Sequence, residues 1–155
     1  MRPRVSQALF EQHEALLRRL MEFYEERGRL PRVGETPDYG ELVETFASPR
    51  AAFAVIRRLT GDEPWDRVRM SRSEDLLVYL ALARFGRRPR PSELPDELRY
   101  DVRDLFGSHK GACAQADRLL FAIAESHRIE AACRAARAGK RLPTALYVHV
   151  DALGH

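Results

Sequence analysis

Apolar residues recur along this chain at helical rather than strand spacing. Over residues 7–27, Phe10, Leu16, Leu17, Leu20, Phe23 and Tyr24 fall on one side of an amphipathic helix. Gly28 supplies the left-handed stop and Pro31 prevents a quick restart. A second helix is expected over about residues 38–45, turning Tyr39, Leu42, Val43 and Phe46 inward. Ser48 followed by Pro49 marks a third start, because the hydroxyl accepts an orphan N–H and proline suits the first helical position. That helix should run to about Leu59 and bury Ala52, Phe53, Ile56 and Leu59. Residues 60–64 break it.

The pattern then recurs. Ser73 precedes a helix to Phe85 that holds Leu76, Leu77, Val78, Tyr79, Leu80 and Leu82 and is apolar nearly all round, so it should be the most buried helix of the protein. Gly86 and the prolines at 89 and 91 end it. Leu98, Val102, Leu105 and Phe106 form another amphipathic face, and Ser108 starts a helix through Ala112, Ala116, Leu119 and Leu120. Trp65, the single tryptophan, lies in a connecting segment expected to be helical and reads as core. Only residues 145–150 alternate in the manner of a strand.

Laid over residues 74–120 without a gap, residues 14–60 are identical at twelve of 47 positions, where composition alone gives roughly three. The shared residues are Glu14/Glu74, Leu16/Leu76, Leu17/Leu77, Leu20/Leu80, Arg27/Arg87, Pro31/Pro91, Phe46/Phe106, Ser48/Ser108, Ala52/Ala112, Ala54/Ala114, Arg58/Arg118 and Leu59/Leu119. A fixed period suggests one supersecondary unit used twice. The expected fold is all-α: two tandem three-helix, helix-turn-helix-like repeats over residues 1–68 and 69–126. A C-terminal helical or extended segment, residues 127–155, would pack on them.

Charge changes this picture by its placement. The net charge is only +3, yet residues 1–68 carry −1 and residues 69–155 carry +4. All basic residues but Lys110 and Lys140 are arginines, whose forked donors suit phosphate. One basic cluster is Arg84, Arg87, Arg88 and Arg90; another is Arg134, Arg137, Lys140 and Arg141. Each repeat also contains Phe-x-Ser between two helices, as in "ETFASPRAAFAVIRRL" and "DLFGSHKGACAQADRLL". If the helix after the serine entered a DNA groove, Arg50, Arg57 and Arg58 in the first copy, and Lys110, Gln115 and Arg118 in the second, would face the duplex. The plainer reading of these arginines is a solvated surface with interleaved acids.

No catalytic constellation is visible. There is no glycine-rich phosphate loop, and the five histidines show no ligand spacing with one another or with Cys113 and Cys133. The cysteines read as small buried thiols in a reducing cytoplasm. Carboxylate pairs such as Asp101 with Asp104, or Glu125 with Glu130, read as helix-surface charges. Neither a membrane span nor a secretory signal is expected, and no cofactor or metal.

Longer strings carry a resemblance. "RGRLPRVGETPDYGELVETFASPRAAFAVIRRLTG", "EDLLVYLALARFGRRPRPSELP", "FGSHKGACAQADRLLF" and "GKRLPTALYVHVDAL" resemble the region downstream of the catalytic domain in the DNA-phosphorothioation-associated methyltransferase family. The similarity runs from about Leu16 to Leu153. Those bacterial proteins accompany systems that replace a phosphate oxygen of DNA by sulfur and use the mark in defence. They carry an N-terminal "DYGCGRG" motif that this chain lacks, so the resemblance implies no methyl transfer here. It implies either a short relative or the helical region of a longer protein. A second, looser likeness is to short helical repeats of some homing endonucleases, through Gly-x-x-Pro and Phe-Gly-Ser. The expected function is therefore a non-catalytic DNA-interacting module of a phosphorothioation or restriction-type defence system, docking through Arg50, Arg57, Arg58, Arg84, Arg87, Arg88, Arg90, Lys110 and Arg118. The alternative is a scaffold that holds a DNA-modifying enzyme through Trp65 and the C-terminal apolar residues.

Overall fold

The computed structural model describes residues 3–123, 125–135, 140–141 and 146–147. They form helices α1 (Pro3–Gln12), α2 (Glu14–Arg27), α3 (Tyr39–Phe46), α4 (Pro49–Thr60), α5 (Glu63–Leu82), α6 (Asp96–Phe106), α7 (His109–Ile123) and α8 (Ser126–Ala135). Short 3₁₀ turns occupy Ala83–Phe85 and Pro91–Glu93. Lys140–Arg141 pairs antiparallel with Leu146–Tyr147, Lys140 opposite Tyr147. The fold is all-α apart from this two-residue ladder. The other residues of the alternating stretch at 145–150, like Arg137, lie outside the described residues.

Two apolar clusters form the interior. The first joins Leu16, Leu17, Leu20 and Tyr24 of α2, Leu42 of α3, Ala52, Phe53, Val55 and Ile56 of α4, and Trp65. The second joins Leu76, Leu80 and Ala81 of α5 with Leu94, Val102, Ala112 and Ala116. Each fully buried leucine or isoleucine contributes about 1.5–3 kcal/mol. Both serine starts behave as the sequence predicts: the Ser48 hydroxyl accepts the Ala51 N–H at 3.1 Å and Ser108 accepts that of Gly111 at 3.0 Å. The residue before each serine is left-handed, Ala47 at φ 67° and Gly107 at φ 76°.

Three expectations about the helices are corrected. The helix expected over residues 7–27 is divided at His13, which leaves helical geometry at φ −121°, ψ 30°. The His13 ring packs edge-on against Phe46, 5.4 Å between centroids, and α1 turns to lie along α4. Ser73 begins no helix. It lies inside α5, and its hydroxyl donates to the Arg69 carbonyl at 2.8 Å. The 68/69 boundary therefore falls within one continuous helix that feeds both cores, Trp65 into the first and Leu76 and Leu80 into the second. Nor is the apolar stretch of α5 the most buried: Val78, Tyr79 and Leu82 face solvent, as does Phe85 beyond them.

The cores meet at a charged joint. The Arg29 side chain is fully buried, and all five of its N–H groups are used. Nε donates to Asp101 at 2.6 Å, Nη1 to Glu35 at 2.7 Å and to the Leu30 carbonyl, and Nη2 to Glu35 at 2.6 Å and to the Glu97 carbonyl. Arg27 adds an ion pair to Asp101 at 3.4 Å. Asp101 is thus no helix-surface charge. Burial pushes its carboxyl up, further than Arg29 draws it down. Glu35 feels the same burial, but the bonds from Arg29 and from the Arg32 N–H outweigh it and hold its carboxyl below the usual range. From α5, Arg69 donates to the Gly28 carbonyl and to Asp104, and Arg72 to the Glu25 carbonyl, satisfying orphan acceptors at the end of α2.

Candidate nucleic-acid interface

Helix α4 is fixed at its start by the Ser48 cap and Pro49, and its period decides which side chains reach solvent. Ala52, Phe53, Val55 and Ile56 are buried. Arg50, Ala54 and Arg57, four and three residues apart, share another face. They line a cleft of about 270 Å³ with Tyr24, Arg29, Leu30, Phe53, Arg69 and Asp104. Beneath it Tyr24 stacks on Phe53 at 4.3 Å, and both meet the edge of Trp65. Burial pushes the Tyr24 hydroxyl up against the opposing pull of Arg69 and Arg57.

The arginines around this cleft differ in how they are held. Arg50 is exposed and has no ion-pair partner among the described residues. Arg57 is half-exposed and pairs with Asp62 at 2.5 Å and Asp66 at 3.7 Å, both on the solvent side. Arg69 is tied to Asp104 at 2.8 Å. Exposed pairs are worth about 0–1 kcal/mol, so an incoming phosphate can displace Asp62 from Arg57 at little cost. Arg58 is exposed on the same helix.

The basic cluster after α5 is organised otherwise. Asp117 of α7 holds Arg84 at 3.4 Å and Arg88 at 2.9 Å, and Glu93 holds Arg87 at 2.6 Å. Arg88 is only 13% exposed and also donates to the Leu80 carbonyl, so it closes the end of α5 instead of facing a ligand. Asp117 is held below the usual carboxylate range by the bond from Arg88. Arg90 is exposed and makes no ion pair among the described residues. On α7, Lys110 is exposed and without an ion-pair partner among the described residues, while exposed Arg118 reaches the Ala114 carbonyl of its own helix. Position 117 is the 60-residue counterpart of Arg57, so the second post-serine helix carries an acid where the first carries a base.

Sequence reasoning missed Arg69 and Arg29. Both sit among other arginines, and no periodicity distinguishes them. The structure also brings His109 and Cys113 together, one turn apart on α7. The thiol lies 3.6 and 3.8 Å from the two ring nitrogens. An in-line bond to one nitrogen would leave the other much further away, so the pair is not aligned for proton transfer. Cys113 and Cys133 are free and half-buried. Among the described residues no group of three or more His, Cys, Asp or Glu is placed to hold a metal ion. No helix among them is long and apolar enough to cross a membrane.

No known protein family, curated protein or solved structure matches this chain.

Proposed function

We propose that this chain is a non-catalytic helical module that docks on the phosphate backbone of DNA. The observation that carries the reading is the convergence of Arg50 and Arg57 of α4 with Arg69 of α5 around one cleft, Arg50 having no acid partner among the described residues. A phosphate there would meet forked donors from two helices, with Asp104 as the one carboxylate in the wall. Arg58, Arg87, Arg90, Lys110 and Arg118 would add weaker, exchangeable contacts, and Arg88 would not. The resemblance of the long strings supports the further reading that the duplex belongs to bacterial phosphorothioation or restriction-type defence and would carry sulfur in its backbone.

The test is fluorescence anisotropy of labelled duplexes, plain and phosphorothioated, titrated across a salt series. Affinity should fall with salt by about one power per phosphate neutralised. Arg50→Ala with Arg57→Ala should weaken binding to every sequence alike and reduce the salt slope by about two. Salt-insensitive binding, or none at low salt, would refute the reading. The scaffold alternative draws on a different observation, the exposed apolar side of α5. Trp65 takes no part in it, being buried with its indole N–H donating to Thr60 at 2.7 Å.

A further inference from the structure

Helix α6 carries Arg99 and Arg103 one turn apart, and the left-handed Gly107 turns the chain so that His109 opens α7 beside them. All three line one cavity of about 360 Å³. Its floor is apolar. Leu94 and Val102, 5% and 2% exposed, meet there with Pro91 of the 3₁₀ turn and Tyr100. Arg32 lies over the Tyr100 ring at 4.8 Å, a cation–π contact that holds it in place.

Charge sets this cavity apart. The arginine cleft beside α4 contains Asp104, and the hollow between α2, α5 and α6 contains Glu26, Asp75 and Asp101. No carboxylate lines the cavity between α6 and α7. Arg103 is exposed and has no ion-pair partner among the described residues. Arg99 pairs with Asp96, three residues earlier, but both are open to water, so a better acceptor displaces Asp96 at little cost. Nor does the fold require cations here. The 60-residue counterparts of Arg99, Arg103 and His109 are Tyr39, Val43 and Pro49.

A cationic wall without acids selects an anion, and an apolar floor selects one with a hydrocarbon or heterocyclic body. Two guanidinium groups and an imidazole suit the three terminal oxygens of a phosphate monoester better than the two of a carboxylate. The volume lies near the lower bound of about 300 Å³ for small-molecule sites, room for one such molecule. We propose that this cavity binds an organic phosphate monoester of nucleotide size. The phosphate rests on Arg99, Arg103 and His109, and the body on Pro91, Leu94 and Tyr100. The cavity shares no lining residue with the α4 cleft, so it stands whether or not the chain docks on a duplex. A free nucleoside monophosphate and the phosphorylated end of a nucleic-acid strand offer the same chemistry.

Isothermal titration calorimetry of the full chain with adenosine monophosphate and phenyl phosphate tests this. Both should bind at millimolar concentration or below. Inorganic phosphate, adenosine and benzoate, each lacking one half of the ligand, should bind about tenfold more weakly or worse. Arg103→Ala should weaken binding by about tenfold or more. Helical content and thermal midpoint should stay unchanged in that variant, because Arg103 belongs to neither core. Arg50→Ala/Arg57→Ala should leave ester binding as it is. In that double variant, competition by an oligonucleotide with and without a terminal phosphate names the source. Preference for the phosphorylated end indicates a strand terminus, equal competition a free nucleotide, and either result keeps the site. Failure of both esters to bind, binding indifferent to Arg103→Ala, or benzoate and inorganic phosphate as tight as the esters would overturn the proposal.

Discussion

Replacing Arg29 by methionine is the most demanding test of how the two cores are joined. Methionine approximates the length of the side chain but removes the charge and all five donors. Glu35 and Asp101, which accept three of the five bonds at 2.6–2.7 Å, are then left as buried carboxylates facing each other. Hydrogen bonds to charged groups contribute about 1.5–3 kcal/mol each, so the three would sum to about 5–9 kcal/mol, comparable with the whole stability of a domain. The carboxylates limit the damage by taking up protons, so the expected cost is about 3–5 kcal/mol. Against a total of about 5–15 kcal/mol for a domain, that is about a fifth or more. Urea unfolding followed by Trp65 emission at pH 7 would measure it. In the variant only Arg27, 3.4 Å from Asp101, and the Arg32 N–H on Glu35 remain; burial outweighs them, so part of the lost stability should return as pH falls from 7 to 5. Removing all three charges together, Arg29→Met/Glu35→Leu/Asp101→Leu, should cost less than Arg29→Met alone. A loss under about 1 kcal/mol at pH 7, or one insensitive to pH, would refute a joint built on this network.

Other substitutions probe single links of the same structure. In the wild type, Glu35 is held below its ordinary value of 4.5, so its contribution is present above that value and lost as pH falls through the lowered one. Asp101, pushed up, acts with the opposite sign; Glu35→Gln should therefore flatten the fall in stability below pH 4.5, measured by urea midpoints across the acid range. Ala47 holds a left-handed φ of 67° that its counterpart Gly107 adopts without strain. Ala47→Gly should raise stability by about 1 kcal/mol, where alanine-to-glycine changes within helices lower it. Gly28→Ala should lose about 2 kcal/mol or more, because a Cβ there would lie 2.9 Å from the Arg72 Cβ and 3.3 Å from the Arg69 backbone. Gly107→Ala meets nothing within 4 Å and should cost only its backbone strain, about 1 kcal/mol. Thermal denaturation of the pair separates packing from conformation.

What the sequence disclosed was whatever local physics decides. Ser48 and Ser108 announce helix starts because a cap is a short-range bond, and Leu16, Leu20, Leu76 and Leu80 announce a core because a helix repeats every 3.6 residues. Residues 7–27 read as one helix because His13 breaks no pattern; the break comes from Phe46, a partner distant in sequence. Ser73 looked like a cap, yet a serine inside a helix can turn its hydroxyl back to the carbonyl four residues earlier. Asp101 looked like a surface charge because its partner, Arg29, is 72 residues away. In the candidate interface, α4 displayed Arg50 and Arg57 by its period alone. That Arg69 joins them, and that Asp117 withdraws Arg84 and Arg88, depends on which helices touch.

The joint falls where the two halves of the sequence differ, and the cores where they agree. The shared positions Leu16/Leu76, Leu20/Leu80 and Ala52/Ala112 are buried in their respective cores, and Ser48 and Ser108 cap their helices. The joint uses positions that differ: Arg29 answers to Pro89, Glu35 to Pro95, and Asp101 to Glu41. The contact joins unlike surfaces, the end of α2 beside the first core and α6 beside the second. A residue kept identical in both would place its charge once inside the joint and once outside it. An arginine at 89 with no carboxylate opposite would be a cation awaiting a partner, and proline removes that demand. Arg27 is the one member of the network that persists, as Arg87, and Arg87 finds its own acid in Glu93. Two halves with the same core pattern thus present different surfaces: an arginine-lined cleft on the first, acid-neutralised cations and an apolar stripe on the second. A charge-reversing substitution should accordingly be absorbed at Arg87, whose site is open to solvent, and should disrupt folding at Arg29, whose site is closed.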